Sequence, residues 1–206
     1  MQHFFHDRAR NEGKRVRTRS LLIDSAIALV AERGLLNTTV QELTRAAGLS
    51  NGTFYNHFDD REQLIREAAT AIAIVLAQNI SECVQDVETG LGRIVVSTDM
   101  FISRCAANRE WAKMLSEASK NAFDMQLDFA KNLLEDIQLA ISQGAPLQVP
   151  NRFRLFQIGA LMVLAVEAQL VGRRNKSVNR DTCDAMLRLL GATPEQARDA
   201  VETYLS

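Results

Sequence analysis

Residues 51–58 read Asn-Gly-Thr-Phe-Tyr-Asn-His-Phe, a run that mixes amide, hydroxyl, phenol and imidazole groups with two bare aromatic rings. Wound at 3.6 residues per turn, Phe54 and Phe58 lie about 40° apart and make one buried face. Gly52 and Asn56 point the opposite way, flanked by Thr53 and Tyr55. A surface helix with no other task carries Lys and Glu on its outer side. Small polar groups there instead allow close backbone approach, donation to phosphate oxygens and reach to base edges. That chemistry suits a nucleic-acid duplex.

Such a helix must be held out on something rigid, and the preceding residues supply it. Gly48 can take the left-handed angle of a tight turn, Leu49 can plug a core, and Ser50 can cap the new helix. Upstream, a short helix is expected over about 40–47, with Thr38 and Thr39 as caps and Glu42 three residues after Thr39 as a capping-box partner. Before that, the apolar stripe of Leu22, Ala26 and Leu29, with Ile23, Ile27 and Val30 beside it, predicts a helix over 21–33 that ends at Gly34. Two short helices joined by a three-residue turn are a helix-turn-helix, the geometry that lays a second helix in the major groove. Asp59 and Asp60 cap a long following helix, about 61–87, with Glu62 and Gln63 at the matching offsets.

The stretch Thr38-Thr39-Val40-Gln41-Glu42-Leu43-Thr44-Arg45-Ala46-Ala47-Gly48-Leu49-Ser50-Asn51-Gly52-Thr53-Phe54-Tyr55-Asn56-His57-Phe58 resembles the signature of the tetracycline-repressor (TetR) family of bacterial regulators. The resemblance is strong over about 17–66; beyond that it extends only to length, helical content and order. It implies that Thr39 contacts phosphate and that Gly52, Thr53, Tyr55 and His57 supply most groove and phosphate contacts. By the same resemblance Asn51 and Asn56 hold the base-reading positions, with Gln41 a further candidate. Arg61 stands where a Lys is usual near the start of the fourth helix and keeps its charge. The family's usual mode is repression, relieved by a small-molecule effector.

Ahead of the first apolar run, Arg8, Arg10, Lys14, Arg15, Arg17 and Arg19 face only Asp7 and Glu12. Arg17 and Arg19 are expected to reach phosphates or the minor groove from this basic arm. The footprint has to be local, because the whole chain carries a formal net charge of -1.

A palindromic operator in double-stranded DNA requires a homodimer, since two recognition helices must sit about 34–36 Å apart. In the family the last two long helices pair with the partner, here about 151–173 and 180–190. The run from Ile158 to Val166 is apolar all round, as a helix packed on two sides should be. This nominates Ile158, Met162, Val166, Leu170, Met186 and Leu190 for the interface. Between 61 and 143, Phe101, Trp111, Met114 and Phe129, with Arg104 and Glu117 as polar anchors, are candidates to line a pocket for a small apolar or amphipathic effector.

Composition sets the outer bounds. With 206 residues, 47% of them hydrophobic, and only 3 Pro and 10 Gly, the chain can bury a core and favours helix throughout. The expected fold is all-α with about nine to ten helices: a basic flexible arm over 1–16, a three-helix DNA-binding domain over 17–64, and an effector-binding and dimerisation domain over 65–206. Further helices are expected near 91–106, 109–120, 122–143 and 194–205, the last opened by Thr193 and Pro194. Cys83, Cys105 and Cys183 form no C-x-x-C and fit a reducing, cytoplasmic setting. No apolar run looks long enough to span a membrane. His3, His6 and His57 are the only histidines, so the larger domain can hold no His-based acid–base pair or His-rich zinc site. No enzyme, cofactor or metal is expected. The competing readings are a helical protein-interaction module, which would leave the basic arm and the polar helix edge idle, and a DNA-binding activator without a ligand.

Overall fold

A computed structural model describes residues 3–119, 130–171 and 176–205. Among these, the regular structure is helical and no strand occurs. The helices are α1 (Phe4–Arg8), α2 (Lys14–Arg33), α3 (Val40–Ala46), α4 (Asn51–Tyr55), α5 (Arg61–Cys83), α6 (Gly90–Ala107), α7 (Arg109–Ser119), α8 (Lys131–Ser142), α9 (Arg152–Val171), α10 (Lys176–Leu189) and α11 (Pro194–Tyr204), with a 3-10 turn at Leu35–Asn37. The chain forms two compact units, Met1–Ile72 with Arg109–Met125, and Ala73–Asn108 with Gln126–Ser206.

The first unit is built on α2. Its apolar face buries Leu22, Ala26, Ile27 and Val30 together with Leu43, Phe54, Phe58 and Leu64 as the unit's core. The helix stops where Gly34 swings to φ +78° while its N–H still reaches the Val30 carbonyl, which satisfies an orphan acceptor at the helix end.

Two features of this unit depart from the expectations. The segment expected as a flexible arm includes α1, and α2 begins at Lys14 rather than at 21, so Arg15, Arg17 and Arg19 are helical. The reason is a buried carboxylate: Asp24 accepts the backbone N–H groups of Phe5 at 3.0 Å and His6 at 2.9 Å. Burial pushes this carboxyl above its ordinary value. Phe4 and Phe5 then pack on Trp111 of α7 with ring centroids 5.1 and 6.3 Å away. Lys113 of α7 donates to the Ala31 carbonyl. These contacts place α7 with the helix-turn-helix segment, whereas a boundary at 64/65 assigns it to the larger domain.

The second unit is a helical bundle. Ile94, Val95, Ile137, Ala140, Ile158, Met186, Leu187 and Leu190 form its centre. The crossing of α6 and α8 needs Gly90, because a Cβ there would lie 2.2 Å from the Ala140 nitrogen. The last helix opens as expected, with the Thr193–Gln196 capping box and Pro194 in the first turn.

Contrary to the reading of the apolar runs, α5 and α9 are each long and apolar enough to cross a membrane by length and composition. The apolar window of α5 is half buried, as in a core helix. That of α9 is only 22% buried, and it leaves Phe153, Leu164 and Val171 exposed.

Candidate nucleic-acid interface

The geometry of α3 and α4 follows from local hydrogen bonds. Thr39 and Glu42 form the reciprocal capping box: Thr39 N–H donates to Glu42 Oε2 at 2.9 Å, and Glu42 N–H donates to Thr39 Oγ1 at 3.3 Å. The Thr39 donors hold the Glu42 carboxyl below its ordinary value. Gly48 takes φ +65°, and Leu49 N–H returns to the Thr44 carbonyl at 2.8 Å, closing the turn. Ser50 Oγ then accepts Thr53 N–H at 3.1 Å and starts α4. Thr44 Oγ1 lies 2.8 Å from Asn51 Oδ1, tying the two helices across the turn.

On this frame Phe54 and Phe58 are sealed inside, 0% and 1% exposed. Gly52, Tyr55 and Asn56 are exposed, and so are Thr39, Gln41 and Asn51. Thr53 is half-buried, its hydroxyl 2.9 Å from Ser50 Oγ. The Tyr55 ring meets Phe54 edge to face at 5.2 Å, which steadies it while 59% of the residue stays open. The structure therefore gathers the candidate side chains of 39–56 into one unit and leaves their polar edge uncovered by it.

His57 is half-buried, and its Nδ1 is buried without a hydrogen-bond partner. Burial, and then the positive charges of Arg15 and Arg19, push its basicity below the ordinary value. Both effects favour the neutral ring, which has one N–H to donate rather than a full charge.

The arginines divide into two groups. Arg17 donates to the Glu12 carbonyl at 3.0 Å from a partly exposed position. Arg19, expected to reach DNA, is instead turned inward. It donates to the His57 carbonyl and to Glu67 of α5, with its guanidinium 4.3 Å from the centroid of the Phe58 ring. Arg61 donates to the Thr38 carbonyl at 2.9 Å and the Leu35 carbonyl at 3.3 Å, and pairs with Glu62. Its charge is retained, but the fork holds the lead-in to α3. Arg45, exposed near the end of α3, is a cation that the motif reading passed over; its place on the polar side of a short amphipathic helix is the only signal the sequence gives.

The other candidates are distributed differently from the expectation. Trp111, Met114 and Glu117 belong to the first unit, Phe101 and Arg104 to the second. Met114 is fully buried and Trp111 packs on Phe4 and Phe5. Arg104 donates to the Asn79 carbonyl and to Cys83 Sγ at 3.1 Å. Phe129 lies outside the described residues.

Of the residues nominated for the dimer interface, Ile158, Val166, Met186 and Leu190 are buried in their own unit, and Met162 and Leu170 are half-buried. The physical reason is that α9 is apolar all round, so its composition could not say which side packs against α6 and α10. The open side carries Phe153, Ala160, Leu164, Ala168 and Val171.

Residues 22–68 match the family model described as bacterial regulatory proteins of the tetR family. The chain is 47% identical over 49 residues to the HTH-type transcriptional repressor KstR2 of Rhodococcus jostii, 24% of each chain. It is 36% identical over 58 residues to a probable acrEF/envCD operon repressor of Escherichia coli, 28% of this chain and 26% of that one. These alignments thus span about a quarter of the length of those relatives. Over nearly the whole chain the fold is that of RolR solved with resorcinol, at TM-score 0.70 and 23% identity, covering 91% of this chain and 94% of that one. FadR of Bacillus subtilis in complex with stearoyl-CoA follows at TM-score 0.64 and 16% identity, covering 84% and 98%. Residues 22–68 thus form an N-terminal domain of the tetR family of bacterial regulatory proteins, in a chain whose all-helical fold is shared with RolR and FadR.

Proposed function

We propose that this protein is a ligand-responsive transcriptional repressor that binds a palindromic operator in double-stranded DNA as a homodimer and leaves it when a small apolar or amphipathic effector binds. The observation that carries the reading is the uncovered edge of Gly52, Tyr55 and Asn56, with Thr53 beside it, backed by buried Phe54 and Phe58. A regulator of this kind works in the cytoplasm, where its operator is, and needs no catalytic centre.

The homodimer is supported by α9. Phe153, Gln157, Ala160, Leu164, Ala168 and Val171 are exposed and recur every three or four residues, the spacing of one helix face. Gly159 and Ala160 leave room for a close approach of a second helix. A second copy is the occupant this face fits, because reading two half-sites requires two recognition helices held at a fixed spacing. The effector reading leans on the likeness of fold to proteins solved with resorcinol and with stearoyl-CoA. An effector that prefers one arrangement of the dimer shifts DNA affinity by its differential binding alone.

The test is retardation of duplex DNA from the region flanking the gene, over a series of salt concentrations. Affinity should fall linearly in log–log form with salt. Tyr55→Phe and Thr53→Ala should each weaken binding by about 1–2 kcal/mol, roughly fivefold to thirtyfold, with the oligomeric state unchanged. Native affinity in both variants would remove the proposed edge from the interface.

A further inference from the structure

Arg19 occupies a place that no phosphate contact requires. The last carbonyls of a helix have no intrahelical donor and need a partner from elsewhere. His57 N–H and Phe58 N–H both return to the Phe54 carbonyl, at 2.8 and 3.0 Å, so the helix that begins as α4 finishes here and leaves the His57 carbonyl unclaimed by its own turn. Arg19 Nη1 donates to that carbonyl. Its Nη2 pairs with Glu67, and its planar face lies over Phe58. One guanidinium thereby joins α2, the end of the recognition helix and α5. Arg19 and Glu67 side chains are 35% and 33% exposed, so the pair is partly shielded from water. Lysine cannot reproduce this arrangement, because it lacks a planar fork of donors and a flat cationic face.

We propose that Arg19 is a positioning residue for the recognition helix, fixing through the His57 carbonyl, Glu67 and Phe58 the angle at which Thr53, Tyr55 and His57 meet DNA, and that it is not itself a DNA contact. This rests on the DNA-binding reading above. Positioning and phosphate contact predict opposite behaviour for two substitutions. A phosphate contact depends on charge, so Arg19→Lys should retain it, and Glu67→Asp, which keeps the negative charge but shortens its reach, should leave it unchanged. A positioning role depends on the three-way geometry, so both substitutions should cost affinity, and only for the sequence that the helix reads.

The experiment uses the full chain and two probes: a duplex selected by the wild-type protein from a randomised pool, and a random-sequence duplex of the same length. Affinities are measured across a salt series, and thermal unfolding of each variant is recorded alongside. The expected result is a loss of about tenfold or more on the selected duplex for both variants. Affinity for the random duplex and the salt slope should stay at wild-type values. Native affinity of Arg19→Lys or of Glu67→Asp for the selected duplex would overturn the proposal. So would lowered unfolding temperatures with unchanged affinity per folded molecule, which is what a merely structural role produces. A wild-type chain that selects no duplex and shows no salt dependence would instead sink the DNA-binding reading itself.

Discussion

Replacing Leu164 by Asp tests the α9 face, and the size of the effect can be worked from its surroundings. Leu164 is 61% exposed, and full burial of a leucine side chain is worth about 1.5–3 kcal/mol. The open part therefore leaves about 1–2 kcal/mol for a partner to cover, and a two-fold axis repeats the contact, giving about 2–4 kcal/mol per dimer. At about 1.4 kcal/mol per decade this weakens the dimer by roughly thirtyfold to a thousandfold. A carboxylate carried into an apolar contact weakens it further. Sedimentation equilibrium measures the dissociation constant, and circular dichroism checks that helical content survives. Survival is expected because the side chain lies outside its own unit's core, whereas Val166→Asp, at a position 1% exposed, should unfold the bundle. A Leu164→Asp chain that is folded and as dimeric as the wild type would refute the assignment of this face to a second copy. Loss of wild-type binding to lipid vesicles in that variant, with the oligomeric state unaltered, would assign the face to a bilayer instead.

Two further predictions concern the second unit. Asp136 is 9% exposed, and burial pushes its carboxyl up to about 6, against the lowering effect of Arg93 and with a smaller upward push from Glu135. An acid raised on folding lends stability below its unfolded value and loses it as pH rises through the folded one. Asp136→Asn should therefore raise stability at neutral pH by about 2 kcal/mol and give no gain near pH 4; thermal melts at the two pH values check this, and a pH-independent shift would contradict it. Gly90→Ala drives a methyl group into backbone, 2.2 Å from the Ala140 nitrogen and 2.5 Å from the Asp136 carbonyl oxygen. The α6–α8 crossing must open, at a cost of about 1–3 kcal/mol or more, read as a lowered urea midpoint; an unchanged midpoint would contradict the close approach.

Much of the candidate interface was legible because it is made of short-range chemistry. Gly34 and Gly48 end their helices at positive φ. Thr39 with Glu42, Ser50, and Thr193 with Gln196 cap theirs through partners three residues away. The ring spacing of Phe54 and Phe58 settled which side of the recognition helix is buried. Each of these follows from backbone hydrogen-bond geometry over a single turn, and neighbours in sequence are enough to specify it.

The arginines, the N-terminus and α9 were not legible in that way. Arg19 was drawn inward by groups 38 and 48 residues away. The segment read as a flexible arm contains α1 because Asp24, far along the chain, supplies acceptors for its free N–H groups. For α9, a sequence apolar on every side could promise burial but not choose the side, and Ile158 and Val166 went to the core while Leu164 and Val171 did not. The sequence by itself determined the caps and turns at Gly34, Thr39, Gly48, Ser50 and Thr193, since those choices are made between residues within about one turn of each other. Which charge meets which carbonyl, and which face of a uniformly apolar helix is left open, only the packed structure decided, because those energies depend on surfaces that come together after distant segments meet.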